Sequence, residues 1–284
     1  MISGLDHIVV LARDLETGIA NYTTLFGCEP SWRAQSNGSA SAMFTLGNVS
    51  LELLSPAGDG AAGDSVRAAL EKDGEGLASI AFAVSDIEAA HRRLARLGLQ
   101  PDDIADGESR DTASGRTMLW KRFRASKEST HGVRLFFIQR NAPLHKSKDV
   151  ATPAAELLDS LVISTPDSDR AAALYSARLG IPMALDRTIE ALGTRFIFLK
   201  GTDFVVEIIH SLKQGKGDGP DKVWGLSWRV ADIDAAHARL VKAGLELSVI
   251  REGRKPGTRV FTVKNGTCNV PTLLIQQGAR PEKA

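Results

Sequence analysis

Leu5-Asp6-His7-Ile8-Val9-Val10 recurs further along the chain as Leu158-Asp159-Ser160-Leu161-Val162-Ile163. At the same offset Asp14 meets Asp167, Tyr22 meets Tyr175 and Gly27 meets Gly180. A second stretch, Val84-Ser85-Asp86-Ile87-Glu88-Ala89-Ala90-His91, returns as Val230-Ala231-Asp232-Ile233-Asp234-Ala235-Ala236-His237. Leu94 then matches Leu240, and Gly98-Leu99 matches Gly244-Leu245. Self-similarity in two blocks at matching order marks a duplicated unit. It predicts one domain over 1–141, a linker over 142–156 around Pro143 and Pro153, and a second domain over 157–284. The length agrees, since 284 residues at about 150 per domain also give two.

Each half divides again into units of one grammar. The first unit reads as an apolar run over 7–11, a helix over 15–26 closed by Gly27, and three strand-like runs over 29–35, 41–46 and 49–54. Asn37-Gly38 and Gly47-Asn48 supply the turns. The second reads as a strand over 79–84, a helix over 87–97 closed by Gly98, and strands over 117–124 and 133–139. Glycine at 27, 98, 180 and 244 fits a helix end with positive φ, and Asp86 and Asp232 stand at N-cap positions. The class is α+β, with βαβββ written four times.

Composition excludes several roles. Thirty-five basic against 34 acidic residues leave a formal charge of +1, so no charge excess points to nucleic acid or an anionic membrane. The apolar stretches are short and interrupted by charge, which predicts no membrane span. Met1-Ile2-Ser3-Gly4-Leu5-Asp6 has no basic segment ahead of an apolar run, as a secretory signal would. Two cysteines, Cys28 and Cys268, build neither a disulfide framework nor a Cys-rich zinc site. These features predict a cytoplasmic, reduced protein.

The pattern resembles the vicinal oxygen chelate superfamily, which comprises glyoxalases, bleomycin-resistance proteins and extradiol dioxygenases. Leu5-Asp6-His7-Ile8-Val9 with Gly27, Leu51-Glu52-Leu53-Leu54, and the run from Ile80 to Ala90 with its later echo carry the likeness. The resemblance implies four βαβββ modules paired into two glyoxalase-like domains, the second degenerate, each curling round a central cleft. It also implies a small-molecule substrate or ligand and a homodimer as the assembly to test.

Period-two alternation places His7, Val9 and Leu11 on one strand face, with Ser50, Glu52 and Leu54 on one face of another. By the resemblance, His7 and Glu52 stand where relatives carry metal ligands, and Glu52 is the candidate catalytic base. One imidazole and one carboxylate suit Zn, Ni, Mn or Fe(II). The paired module departs from the pattern, because the matching positions are Ser79 and Phe136. The pair is therefore either half of a metal site or a metal-free hydrogen-bonded pair. His131 is a further donor to consider, although alternation puts it off the face of Phe136.

In the second half the equivalent positions read Ser160, Glu207, Gly225 and Leu273, where extradiol dioxygenases of the resembling architecture place two His and one Glu; the resemblance thus implies no ring-cleaving chemistry and a structural or dimer-forming role. Glu207 is expected to find Arg195 or Arg229. His91 and His237 read as packed or solvated helix residues, and His210 as a strand exit into solvent. Trp120, Arg122 and Arg124 alternate on one strand face, with Arg110 and Arg116 upstream and Trp32-Arg33 in the first module. Trp32, Arg116, Trp120, Arg122 and Phe136 are then candidates for holding an anionic substrate, unless that strand is a solvated edge. Two functions follow from these residues. One is a glyoxalase-like enzyme working next to a carbonyl as isomerase, epimerase or lyase, with one divalent ion or none. The other is a metal-free sequestering protein.

Overall fold

A computed structural model describes residues 2–278. The first half runs β1 (Ile2–Leu11), α1 (Leu15–Phe26), β2 (Trp32–Ser36), β3 (Ser39–Thr45), β4 (Ser50–Pro56), α2 (Ala61–Asp73), β5 (Gly76–Val84), α3 (Ile87–Arg96), β6 (Ala105–Arg110), β7 (Thr117–Arg124) and β8 (Arg134–Arg140). These strands form one eight-stranded sheet in the order β2-β3-β4-β1-β5-β8-β7-β6. The second half repeats it with β9 (Ala155–Ser164), α4 (Ser168–Ala172), β10 (Met183–Ile189), β11 (Thr194–Lys200), β12 (Val205–Ser211), β13 (Lys222–Val230), α5 (Ile233–Lys242), β14 (Arg251–Glu252), β15 (Arg259–Val263) and β16 (Thr272–Gln276). Its order, β10-β11-β12-β9-β13-β16-β15-β14, is the same sequence of strands shifted along the chain.

Local chemistry sets the element ends. The Asp14 carboxylate accepts from the Thr17 amide at 2.7 Å to start α1, and Gly27 ends that helix at φ 73°. Asp86 and Asp232 cap α3 and α5 by accepting from Ala89 and Ala235. Gly98, Gly180 and Gly244 all have positive φ, as helix-ending glycines do.

Each sheet keeps its most apolar face towards its helices. Ile8, Val10, Leu51, Leu53, Ile80 and Phe82 of the first half and Leu161, Ile163, Ile197, Ile208 and Trp228 of the second belong to one continuous core. Phe26 meets Trp228 edge-on at 4.7 Å, and the Tyr22 hydroxyl donates to the Thr267 carbonyl at 3.0 Å. Arg239 donates to the carbonyls of Thr24 and Leu25, closing the C-terminal end of α1 from the other half.

The opposite, concave faces differ between the halves. In the first, the edge strands meet: Trp32 Nε1 donates to Ser109 Oγ at 2.9 Å, Arg33 N to Asp111 Oδ1 at 3.0 Å, and Thr112 N to the Arg33 carbonyl at 2.8 Å. The sheet thereby closes round a trough. One end of the trough is filled by α2, which the strand-and-helix grammar of the sequence does not anticipate. Val66, Ala69 and Leu70, at helical spacing, cover Val9, Leu11, Leu54 and Ala78. The helix sits directly on the β2–β3 hairpin, where a Cβ at Gly63 would lie 2.0 Å from the Gly38 carbonyl oxygen, so only glycine fits. The strand β6 lies outside the runs read from the sequence for this module but completes its βαβββ grammar, and it makes β7 an interior strand rather than an edge.

Candidate functional site in the first-half trough

Registers across the sheet place the candidate residues. His7 lies opposite Ser50 on one side and Ala81 on the other, and Ala81 lies opposite Phe136. Glu52 lies opposite Val9 and Met43, and Met43 opposite Trp32. Side chains on directly opposed residues share a face, so His7, Glu52, Phe136 and Trp32 all belong to the trough. On the far wall Trp120 faces Arg140 and Arg122 faces Ile138 across β7 and β8.

The structure brings His7 and Glu52 together, with His7 Nε2 3.6 Å from Glu52 Oε2. It adds two residues that alternation alone does not reveal. Between Leu5 and His7 the β1–β5 register skips one residue, and that residue is Asp6. A bulge lets successive side chains turn to one side of the sheet. Asp6 therefore reaches the trough instead of the core face shared by Ile8 and Val10. Its Oδ1 lies 2.6 Å from His7 Nδ1, and both its oxygens accept from Arg140, from Nε at 2.7 Å and from Nη2 at 2.7 Å. Burial raises the cost of the Asp6 charge, but the hydrogen bonds and charges of His7 and Arg140 outweigh it and hold the carboxyl well below the usual carboxylate range. The visible clue is a charged residue at a core register, repeated as Asp159.

Each aromatic candidate carries a guanidinium. Arg116 lies 5.8 Å from the Trp32 ring centre, Arg122 lies 5.3 Å from that of Phe136, and Arg140 lies 5.4 Å from that of Trp120. Gly107 clears the seat of Trp120, since a Cβ there would meet the indole nitrogen at 2.2 Å. Arg116 and Arg122 are exposed, while Arg140 is committed to Asp6. The trough thus joins an acid–base pair on β1 and β4 to cations on β7 and its approach, with the small side chain of Ala81 between.

The donor chemistry bears on a metal. His7 offers Nε2 while its other nitrogen is held by a carboxylate, the arrangement of a metal-ligating histidine. Glu52 offers one carboxylate beside it. The paired module contributes Ser79 and Phe136, and among the described residues no group of three or more His, Cys, Asp or Glu side chains is arranged to hold an ion. The residues fit a two-donor half-site whose remaining positions would fall to substrate oxygens. His131 does not join it: that residue lies between the halves, where its carbonyl accepts from the Asp221 amide at 2.7 Å.

Several second-half expectations are corrected. His210 does not exit into solvent; it is 6% exposed, with Nδ1 3.0 Å from the Thr165 carbonyl, because β12 continues one residue past it in the sheet. Glu207 pairs with neither Arg195 nor Arg229, since Arg195 is taken by Asp186 and Asp169 and Arg229 by Asp159. Burial pushes the Glu207 carboxyl up, nearby Arg254 offsets this only in part, and the Asp159 charge adds to it. His91 and His237 behave as packed helix residues, each edge-on to a phenylalanine and bonded to a loop carbonyl.

A raised carboxyl has a definite effect on stability. The native state holds the Glu207 proton more tightly than the unfolded chain, so this residue costs nothing below its ordinary value of 4.5. The cost grows as pH rises from there through the raised native value. Glu207 is half-buried, and Glu207→Gln is expected to stabilise the protein by on the order of 1 kcal/mol at about pH 8, the scale of an imperfectly satisfied polar group. Urea unfolding at several pH values should show the gain shrink to nothing near pH 4.

Comparison with known proteins follows the same lines. The family model described as "Glyoxalase-like domain" matches residues 5–179, and that of the glyoxalase/bleomycin resistance protein/dioxygenase superfamily matches residues 159–262. The chain belongs to the glyoxalase-like domain family, within the vicinal oxygen chelate superfamily. An ethylmalonyl-CoA/methylmalonyl-CoA epimerase of Cereibacter sphaeroides is 32% identical over 123 residues, covering 42% of this chain and 88% of the relative. In fold the chain is similar to a mutant 4-hydroxymandelate synthase from Streptomyces coelicolor, with a TM-score of 0.72, 15% identity, and coverage of 99% of this chain and 94% of that one. It is also similar in fold to the Mn(II)-bound glyoxalase from Novosphingobium aromaticivorans, with a TM-score of 0.66, 13% identity, and coverage of 98% and 83%. No helix among the described residues is long and apolar enough to cross a membrane.

Proposed function

We propose that the chain is a glyoxalase-like enzyme that moves a proton at the carbon next to a carbonyl of a small anionic substrate, in the first-half trough. The observation that carries this reading is the His7–Glu52 pair, 3.6 Å apart on the concave face, with the outer nitrogen of His7 tied to Asp6. Glu52 is the group placed to take the proton, and removal of a proton by a positioned carboxylate is worth about 10²–10⁴-fold in rate. Exposed Arg122 and Arg116 are suited to the substrate's anionic group, because guanidinium donors match carboxylate and phosphate geometry. Trp32, Trp120 and Phe136 supply apolar walls.

His7 through Nε2 and Glu52 are the residues that would hold a divalent ion. When bound, such an ion supplies positive charge beside the oxygen on which charge develops. The epimerase relative supports an acyl thioester with a second carboxylate as the first substrate class to try, and an epimerase as the reaction outcome. Isomerase or lyase outcomes need the same proton step.

Solvent exchange tests the proposal. In D2O, protein loaded with Zn, Mn, Ni or Fe(II) is expected to replace the proton next to the carbonyl of substituted malonyl thioesters or 2-keto acids, followed by proton NMR. Metal content should fall in His7→Ala and Glu52→Ala. A second reading, a ligand-sequestering protein, is favoured by Ser79 and Phe136 at the positions of the paired ligands. It would be supported by thermal stabilisation by a ligand in the presence of EDTA with no exchange in any substrate.

A further inference from the structure

We infer that Asp6 and Arg140 are positioning residues for His7: they fix its ring so that the proton sits on Nδ1 and the bare Nε2 faces Glu52. This deepens the proposed reading of the trough and rests on it only for the use to which Nε2 is put. An imidazole at 2.6 Å from a carboxylate oxygen can bond to it only by donating. The acceptor cannot turn away, because the guanidinium of Arg140 grips both oxygens at 2.7 Å. Arg140 is itself held, stacked on Trp120 and with Nη1 2.9 Å from Met118 Sδ. Asp6 and Arg140 are each only 9% exposed, so water offers little competition for these bonds.

The second half provides an internal comparison. Asp159 occupies the same bulge, since the β9–β13 register skips it between Leu158 and Ser160. There the position of His7 is Ser160, and Asp159 is satisfied by Arg229 at 2.6 Å and Gln277 at 2.7 Å. Gln277 stands where Arg140 stands in the first half. The bulged aspartate alone is thus compatible with a fold lacking the imidazole. What distinguishes the first half is the combination of a bidentate guanidinium, the carboxylate and a histidine.

The tautomer of His7 separates positioning from a mere tie between β1 and β8, and Asp6→Ala is the variant that changes it. Asp6→Asn would not serve, because Oδ1 accepts from both His7 and Arg140 and an amide carbonyl at that place keeps both bonds. Without the Asp6 side chain the carboxylate left beside the ring is that of Glu52, 3.6 Å from Nε2, so the ring proton moves there. Nitrogen-15 NMR of histidine-labelled protein in EDTA at about pH 8.5, where a free imidazole is neutral, reads the tautomer directly, with His7→Ala identifying the signals. The wild type is expected to carry the proton on Nδ1 and Asp6→Ala on Nε2. Zn²⁺ titration should show the variant binding about 10–100-fold more weakly, the usual effect of losing a carboxylate behind a metal-binding histidine. A wild-type proton on Nε2, or an unchanged tautomer in Asp6→Ala, overturns the inference. The wild-type measurement decides it even if the variant does not fold. If the tautomer flips while neither protein binds Zn²⁺, positioning stands and the metal reading falls.

Discussion

Glu52→Gln is expected to slow proton exchange next to the substrate carbonyl by about 10²–10⁴-fold while leaving the protein folded. The amide keeps the size and shape of the carboxylate but has no lone pair basic enough to remove a carbon-bound proton. Folding should tolerate it, because the Glu52 side chain is 22% exposed and, among the described residues, the ionisable side chain it pairs with is His7. Its strand is anchored elsewhere: Leu51 and Leu53 are fully buried on the other face, and β4 pairs with both β1 and β3. The measurement is the initial rate of deuterium incorporation beside a thermal melt. An unchanged rate with an unchanged melt would move the proton step to another residue, and His7 Nε2 is the next base within reach. A lost rate with a collapsed melt would make Glu52 structural. The informative result is loss of rate with an unchanged melt, which assigns Glu52 a role in the reaction, as base or as metal ligand, rather than in the fold.

How far the residues themselves foretell this site depends on which physical rule governs each. The duplication was legible because helix N-caps, terminal glycines and apolar strands are local features, and they recur with Asp86 and Asp232 or Gly27 and Gly180. Strand alternation grouped residues within each strand, and the resemblance was needed to bring His7, Glu52 and Phe136 to one site. It could not show Asp6, because a bulge breaks the period of two at one residue, and that skip is set by pairing with β5 rather than by β1 itself. Arg140 was hidden for a related reason: its partner is 134 positions away, and nothing in the β8 sequence distinguishes it from the other arginines near the trough. The helix α2 leaves a weak trace in the sequence because its apolar stripe is short, with Val66, Ala69 and Leu70 covering the sheet. A strand-terminal histidine next to serine reads as solvated, whereas the chain just after β9 meets His210, whose Nδ1 lies 3.0 Å from the Thr165 carbonyl. Residues decided by their own neighbours in sequence could be read, and those decided by a partner strand could not.

The largest loss of stability is expected where the halves share a core. Trp228→Ala should cost about 3–5 kcal/mol, because Trp228 is fully buried and meets Phe26 of the other half at 4.7 Å. Phe26→Ala should cost about as much, since Phe26 is likewise fully buried and also packs on Tyr22 and Phe44. If the two rings stabilise one another across the interface, the double variant should fall short of additivity by about 0.5–1.5 kcal/mol. Trp228→Phe supplies the control. It keeps an aromatic ring in place and removes a buried indole N–H that has no hydrogen-bond partner among the described residues, so it should cost far less than alanine. Urea unfolding followed at once by tryptophan fluorescence and by circular dichroism separates the possibilities. Coincident transitions with a non-additive double variant mean that the halves unfold as one body, so a change in the second half reaches the trough through α1. Split transitions with additive losses would mean that each half stands alone. The second half would then act as a separate unit rather than as the support on which α1, and behind it the β1 strand carrying Asp6 and His7, is held.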